Sequence, residues 1–283
     1  MKYTGDIDYI QDSELAKATP AVFDAHPDTP AKFDDGNPVY SRACQDFNQS
    51  AYMYPAPPVF MGPADIPFPD KSIYVLRLLI KMPGSAFMLP AKIAFMKDFI
   101  AGCAAYQKAH FPDYDDRFVY LTVRSGAVKS VKDDSYHVDG FQGISVPRHI
   151  PEQNYIWADT HPTMFALQPY FMAQLDPAIH NMQDFLHANT DPENIYQAQE
   201  KGLYIIDPYH VHARPPVPEG LKRAFLRVCF SPVEIRDDTN TPNPFLPRGP
   251  YNRQDIRNIL DNPCAQYSNA SNCGRHGLRK LTA

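Results

Sequence analysis

The sequence predicts a mainly β protein, a barrel or sandwich backed by an N-terminal helical layer. Segments rich in β-branched and aromatic residues, bounded by turn formers, dominate after residue 115. One long amphipathic pattern precedes them. The 29 prolines gather in the first 70 residues and again from Pro208 to Pro250, which forces extended or looped chain there. A chain of 283 residues can bury a substantial core, and all-β barrels of this length commonly form one domain. The expected organisation is therefore a single elaborated domain. Residues 1–115 supply Pro-rich coil and helical support, 116–235 the barrel core, and 236–283 a C-terminal extension.

Taken in order, YMYPAPPVFMGPADIPFPD (52–70) reads as ordered coil wrapped on the core, because its Tyr, Phe and Met need burial. AKIAFMKDFIAGCAAYQKAHF (91–111) reads as a helix. Ile93, Met96, Phe99, Ile100, Cys103 and Tyr106 recur at three- and four-residue spacing, with Pro90 before the segment and Pro112 after it. Shorter helices are expected over 179–188 and in NRQDIRNIL (252–260), where Asn252 can cap the start. Strands are expected in RFVYLTVRSG, QNYIWAD, TMFALQPY, GLYIID and RAFLRVCFS.

Composition narrows the function. Net charge of -5 supplies no general attraction to phosphate backbones, so a small-molecule partner is favoured over nucleic acid. No apolar run approaches the roughly 18 residues of a membrane span, and the start MKYTGDIDYIQDSEL has no signal-peptide apolar core. The odd set Cys44, Cys103, Cys229, Cys264 and Cys273 reads as reduced thiols in a cytoplasmic setting, although Cys264 and Cys273 are close enough for a local bridge.

The chemistry centres on SYHVDGFQG (135–143). Extended residues two apart share a side of the chain, so His137 and Asp139 can present an imidazole nitrogen and a carboxylate oxygen to one metal ion. The same spelling at His26-Pro27-Asp28 sits in Pro-rich coil with nothing downstream to complete it. The copy at 137–139 has a completion in LYIIDPYHVHARPPVPEGLKRAFLRVCFSP, where His210 and His212 compete for the third ligand. Two imidazoles and one carboxylate on one face leave three coordination positions open, as in non-haem Fe(II) oxygenases. Arg223 and Arg227 stand at +11 and +15 from His212 on a strand whose period of two places Arg223, Phe225 and Arg227 on one face. A buried arginine needs a carboxylate partner, and a bidentate fork suits a dicarboxylate.

With H-V-D at 137–139, His212, and Arg223 in R-A-F-L-R, the region from His137 to Pro232 resembles the Fe(II)/2-oxoglutarate-dependent dioxygenases. The resemblance implies a double-stranded β-helix, the jelly-roll or cupin-like barrel. It implies that His137, Asp139 and His212 hold Fe(II), that Arg223 pairs with the distal carboxylate of 2-oxoglutarate, and that Thr163, at +24 from Asp139, touches the same cosubstrate. It further implies hydroxylation of a C–H bond of a small soluble molecule, using O2 and releasing succinate and CO2. Arg227 could join the cosubstrate clamp, grip an anionic substrate group, or make a structural ion pair. His210 takes a neighbouring or surface role, because +11 after it is Leu221. Candidate substrate contacts are Arg227, Trp157, Tyr155, Arg148, Tyr136, Phe141 and Arg214, with core packing the default for Trp157 and Tyr155. Two readings from other classes stay open: a metal-dependent cupin acting as isomerase or zinc hydrolase, and a barrel that binds a partner without turnover. Substrate identity and oligomeric state are not written in the sequence.

Overall fold

A computed structural model of the chain describes residues 52–53, 57–128, 135–139, 152–171, 181–208, 210–235, 239–243 and 245–246. The expected helix at 252–260, the His26/Asp28 copy, and Cys44, Cys264 and Cys273 lie outside the described residues. Among the described residues no helix is long and apolar enough to cross a membrane.

Among the described residues every strand pairing is antiparallel. The largest sheet has six strands. These are β2 (Val59–Pro63), β3 (Ile73–Lys81), β4 (Phe118–Ala127), β5 (Gln153–Ala158), β9 (Gly202–Ile206) and β11 (Lys222–Ser231), in the spatial order β2-β9-β5-β11-β4-β3. A smaller sheet is ordered β10-β6-β8, from β6 (Met164–Ala166), β8 (Ile195–Gln197) and β10 (His212–Ala213). An isolated bridge between His137 and His212 extends it by one residue pair. A third, two-stranded sheet joins β1 (Tyr52–Met53) to β7 (Tyr170–Phe171). From β4 onward the chain shuttles between the two larger sheets. It visits β4, the His137 bridge, β5, then β6 and β8, then β9, β10 and β11. That winding of eight segments into two facing sheets is the double-stranded β-helix.

The expected helix forms as a 3₁₀ turn over Ala91–Met96 that passes into α1 (Lys97–His110). Ile93, Met96, Phe99, Ile100 and Cys103 are buried, and Tyr106 packs beside them. They lie on the outer face of the six-stranded sheet with Val119, Leu121 and Val123 of β4 and Ala224, Leu226 and Val228 of β11. Gln107 of α1, fully buried, donates to Gln153 Oε1 at 2.8 Å and accepts the Tyr155 hydroxyl at 2.9 Å, tying α1 to β5. The expected helix at 179–188 is described as α2 (Met182–Ala188), capped by the Asn181 side chain on the amides of Gln183 and Asp184.

Some expectations need correction. The 52–70 segment is not coil alone, because β1 and β2 lie within it. Strand β3, unexpected from the sequence, forms an edge of the large sheet, so residues before 116 contribute strands as well as support. The single strand read from TMFALQPY divides into β6 and β7, which join different sheets. Strands β8 and β10, of three and two residues, were also unexpected.

Candidate metal centre

Alternation along each strand decides what faces the space between the sheets. On β11 the core-facing set is Ala224, Leu226, Val228 and Phe230, so Arg223, Phe225, Arg227 and Cys229 face inward. Their cross-strand partners share that face: Gly126, Arg124, Thr122 and Tyr120 on β4, and Ala158, Ile156 and Asn154 on β5. Ile156, Phe165, Tyr204 and Ile206 form an apolar cluster there, with Phe225 packed against it. On the smaller sheet Tyr136, Val138, Val211 and Ala213 pack outward around Leu186 of α2, which leaves the alternating residues His137 and His212 facing in.

The structure brings His137, Asp139 and His212 together. One ligand atom from each lies within 4.8 Å of the others, the single such trio among the described residues. The two histidine backbones exchange both bridge hydrogen bonds, each 2.9 Å, and the ring centroids are 4.5 Å apart. His137 Nδ1 lies 2.9 Å from the Ser135 carbonyl, and His212 Nδ1 lies 2.7 Å from the His210 carbonyl. A carbonyl only accepts, so both Nδ1 atoms carry the proton and both Nε2 lone pairs are free for a metal. Burial and the neighbouring His137 push His212 down to about 4, which keeps its ring neutral around pH 7. Burial alone would raise the Asp139 carboxyl. Arg227 first, then His212, His137 and Arg77, outweigh it and hold that carboxyl below the usual range. A neutral His212 imidazole and an ionised carboxylate in a compact cluster with His137 suit a divalent cation.

His210 does not join the trio. Its Nδ1 lies 3.0 Å from Asp207 Oδ1 in a buried pair, and its carbonyl is the one that orients His212. Burial opposes protonation of the His210 ring, but the Asp207 charge and hydrogen bond outweigh it and raise the ring's pKa. Arg227 Nη1 reaches Asp139 Oδ2 at 2.8 Å, so of the three roles open to it the structure fills the ion pair.

Arg223 occupies a different environment. Its Nε donates to the carbonyls of Thr160 and His161, at 3.1 and 3.2 Å. Its guanidinium carbon stands 5.5 Å from the centroid of the Phe225 ring. No carboxylate among the described residues makes an ion pair with it. The nearest in effect, Asp159, spends Oδ1 on the amides of Thr160 and Ala224. Burial and the like charge of Arg214, and then of Arg124, push Arg223 down to about 10. Thr163 is buried beside β6. The β10–β6 register, Ala213 opposite Met164, extended by one residue sets Thr163 across from Arg214.

Several candidate substrate contacts fall elsewhere. Trp157 and Tyr155 belong to the outer core under α1. Trp157 Nε1 donates to the Ala64 carbonyl at 2.8 Å and its ring stacks on Phe68. Tyr136 packs outward against Met164 and His187. Trp157 and Tyr155 take the outward phase of β5, and Tyr136, beside the bridge residue His137, packs in the outer cluster around Leu186. Phe141 and Arg148 lie outside the described residues. The sequence does not single out Arg77, Arg124 or Glu152, and it marks Cys229 only as a thiol. Ser231 Oγ donates to Glu152 Oε1 at 2.8 Å, and Cys229 Sγ lies 3.7 Å from Glu152 Oε2. Only the inward phase of Cys229 and Arg124 on their strands could have signalled them.

No protein-family model matches the sequence, nor does any curated protein. Among solved structures the chain is similar to EvdO2 from Micromonospora carbonacea var. aurantiaca, at 14% identity and TM-score 0.33. That match spans 47% of this chain and 59% of that one. EvdO2 complexed with 2-oxoglutarate matches at 11% identity over 69% and 92%, TM-score 0.35. AviO1 from Streptomyces viridochromogenes Tue57 matches at 11% over 74% and 100%, TM-score 0.32. The strand order and the winding of the chain between two sheets make the fold a jelly roll.

Proposed function

We propose that the protein is an Fe(II)- and 2-oxoglutarate-dependent oxygenase that hydroxylates a C–H bond of a small soluble substrate. The observation that carries this reading is the pairing of two features inside one barrel. A His-Asp-His trio has both Nε2 atoms free, and Arg223 faces the same interior without a carboxylate in ion-pair contact among the described residues. A zinc hydrolase or an isomerase would use the trio and leave Arg223 without a task.

In this reading His137, Asp139 and His212 would hold the metal through one atom each. Bound there, iron and 2-oxoglutarate supply the oxidising power, so that substrate, O2 and 2-oxoglutarate give hydroxylated substrate, succinate and CO2. Arg223 binds the distal carboxylate with a planar fork, with Arg214 adding charge and Thr163 a hydroxyl. Ile156, Phe165, Tyr204 and Phe225 keep the interior apolar and exclude water. The repulsion between Arg223 and Arg214 is relieved when an anion arrives, which favours a dicarboxylate over a neutral guest.

The test is anaerobic titration of 2-oxoglutarate into the Fe(II)-loaded protein, followed by succinate release in air. Wild type should bind 2-oxoglutarate and turn it over. Arg223→Ala should lose about tenfold to a hundredfold in affinity, corresponding to about 1.5–3 kcal/mol of charge-assisted hydrogen bonding. Arg223→Lys should rescue little of it, because a point charge cannot reproduce the fork. Metal binding without any affinity for 2-oxoglutarate would overturn the oxygenase reading in favour of the hydrolytic or isomerising one.

A further inference from the structure

Three side chains make the trio, but only two are fixed by the smaller sheet. His137 and His212 are locked to each other by the two backbone bonds of their bridge. Asp139 lies two residues beyond His137, outside that bridge, where residue 139 forms a turn. What reaches its carboxylate comes from the opposite sheet. Arg227 stands on β11, a strand paired on both sides, opposite Thr122 of β4 and Ile156 of β5. A central strand is a rigid base, and from it the guanidinium crosses the interior to Asp139 Oδ2 at 2.8 Å. The contact joins residues 88 apart in the chain and links the two sheets.

We propose that Arg227 is a positioning residue that makes Asp139 a one-oxygen ligand and thereby sets how many metal positions stay open. This inference rests on the metal reading above. With Oδ2 engaged by Nη1, only Oδ1 is free to approach a cation held between the two Nε2 atoms. Three protein atoms on an octahedral ion leave three positions, enough for a two-atom chelator and one further ligand. A carboxylate free to turn both oxygens on the metal would close one of those three. The 2.8 Å ion pair supports the same role, because it sets a guanidinium directly against the ligand carboxylate. Arg77 sits at a bulge of β3, between Val75 and Leu78, with φ of 44°, a left-handed conformation that a non-glycine residue adopts at a cost. Glu152, the other carboxyl that Arg227 influences, is held by Ser231. Arg227 therefore belongs to the metal's support and not to the anion pocket of Arg223. The two arginines sit four residues apart on one strand face, about 13 Å along β11 at ordinary strand rise.

The test uses Co(II), whose visible absorption reports coordination number, added to the purified full chain under conditions where no turnover occurs. Arg227→Gln and Arg227→Lys are compared with wild type for Co(II) affinity, for the Co(II) spectrum with and without 2-oxoglutarate, and for thermal unfolding of the metal-free protein. Arg227→Gln should bind Co(II) on the order of tenfold to a hundredfold more weakly, and its spectrum should shift toward a site with fewer exchangeable positions. Arg227→Lys keeps the charge and guards against simple misfolding. It should unfold near the wild-type temperature and still show an altered spectrum, because an ammonium does not hold Oδ2 as a guanidinium does. Wild-type affinity and spectrum in a folded Arg227→Lys protein would overturn the proposal. So would a loss of 2-oxoglutarate affinity in either variant with the Co(II) spectrum unchanged, which would return Arg227 to the anion pocket. If wild type binds no Co(II), the metal reading itself fails, and the inference falls with it.

Discussion

The Glu152 carboxyl shows how one residue couples this interior to pH. Burial raises its pKa, Ser231 opposes that through a hydrogen bond, and the Asp139 charge adds to the rise, leaving it net above the ordinary value. A carboxyl that holds its proton more tightly folded than unfolded contributes stability below the unfolded pKa and loses it as pH rises through the folded one. Glu152→Gln keeps an acceptor for Ser231 and removes the ionisation. Urea unfolding of the metal-free protein should give equal stability for the two proteins near pH 4, with the variant increasingly the more stable toward pH 8. A variant less stable at every pH would show that the ionised carboxyl is needed. At this scale the convergence of His137, Asp139 and His212 was legible in the two-residue spacing of the first pair and the +11 spacing to Arg223, although Asp139 sits in a turn and not in an extended strand. The partner of Arg227 was not, because it is set by a contact across the barrel. Core packing, the default for Trp157 and Tyr155, is where the structure places them, in the core under α1.

Among the elements, α1 depends on more than its apolar stripe. Gln107 is the one fully buried polar side chain of that helix, and it satisfies both Gln153 and Tyr155. Gln107→Ala would remove the hydrogen bonds that Gln153 Oε1 and the Tyr155 hydroxyl make to Gln107 and open a cavity. The expected loss is about 2–4 kcal/mol in chemical unfolding. A loss below about 0.5 kcal/mol would mean that the stripe alone holds the helix. The helix itself was readable because its period runs unbroken from Ile93 to Tyr106. Strand β3 was harder to read. Its register shifts between Val75 and Leu78 interrupt the two-residue period, and apolar side chains fall on both sides of the bulge. Strands β8 and β10 are too short to carry any period and exist because of their neighbours in the smaller sheet.

For the molecule as a whole, the two sheets are held by different means on their two sides. The outer face of the large sheet is closed by a continuous apolar core under α1. The inner space mixes an apolar cluster with Arg223, Arg227, Asp139 and the two histidines, so part of its cohesion is electrostatic. A ligand that binds only the folded state stabilises it by mass action, about 2.7 kcal/mol at one hundred times its Kd. Co(II) or Fe(II) should therefore raise the unfolding temperature of wild type in a concentration-dependent way and leave that of His212→Ala where it was. Equal shifts in the two proteins would place the ion elsewhere.

The His137–His212 pairing has a consequence that unfolding midpoints do not register. It is only one residue pair long, and it closes the edge of the smaller sheet with the backbones of two proposed ligands. An isolated pair can open without the rest of the barrel melting, so its two amide protons should trade with deuterium far sooner than those of β5 or β11. An ion held by both imidazoles would bar that opening. The His137 and His212 amides should then pass from among the quickest-exchanging protons of the barrel to among the slowest when metal is added. The calendar of exchange at two positions would thus report loading of the site in protein that never turns over.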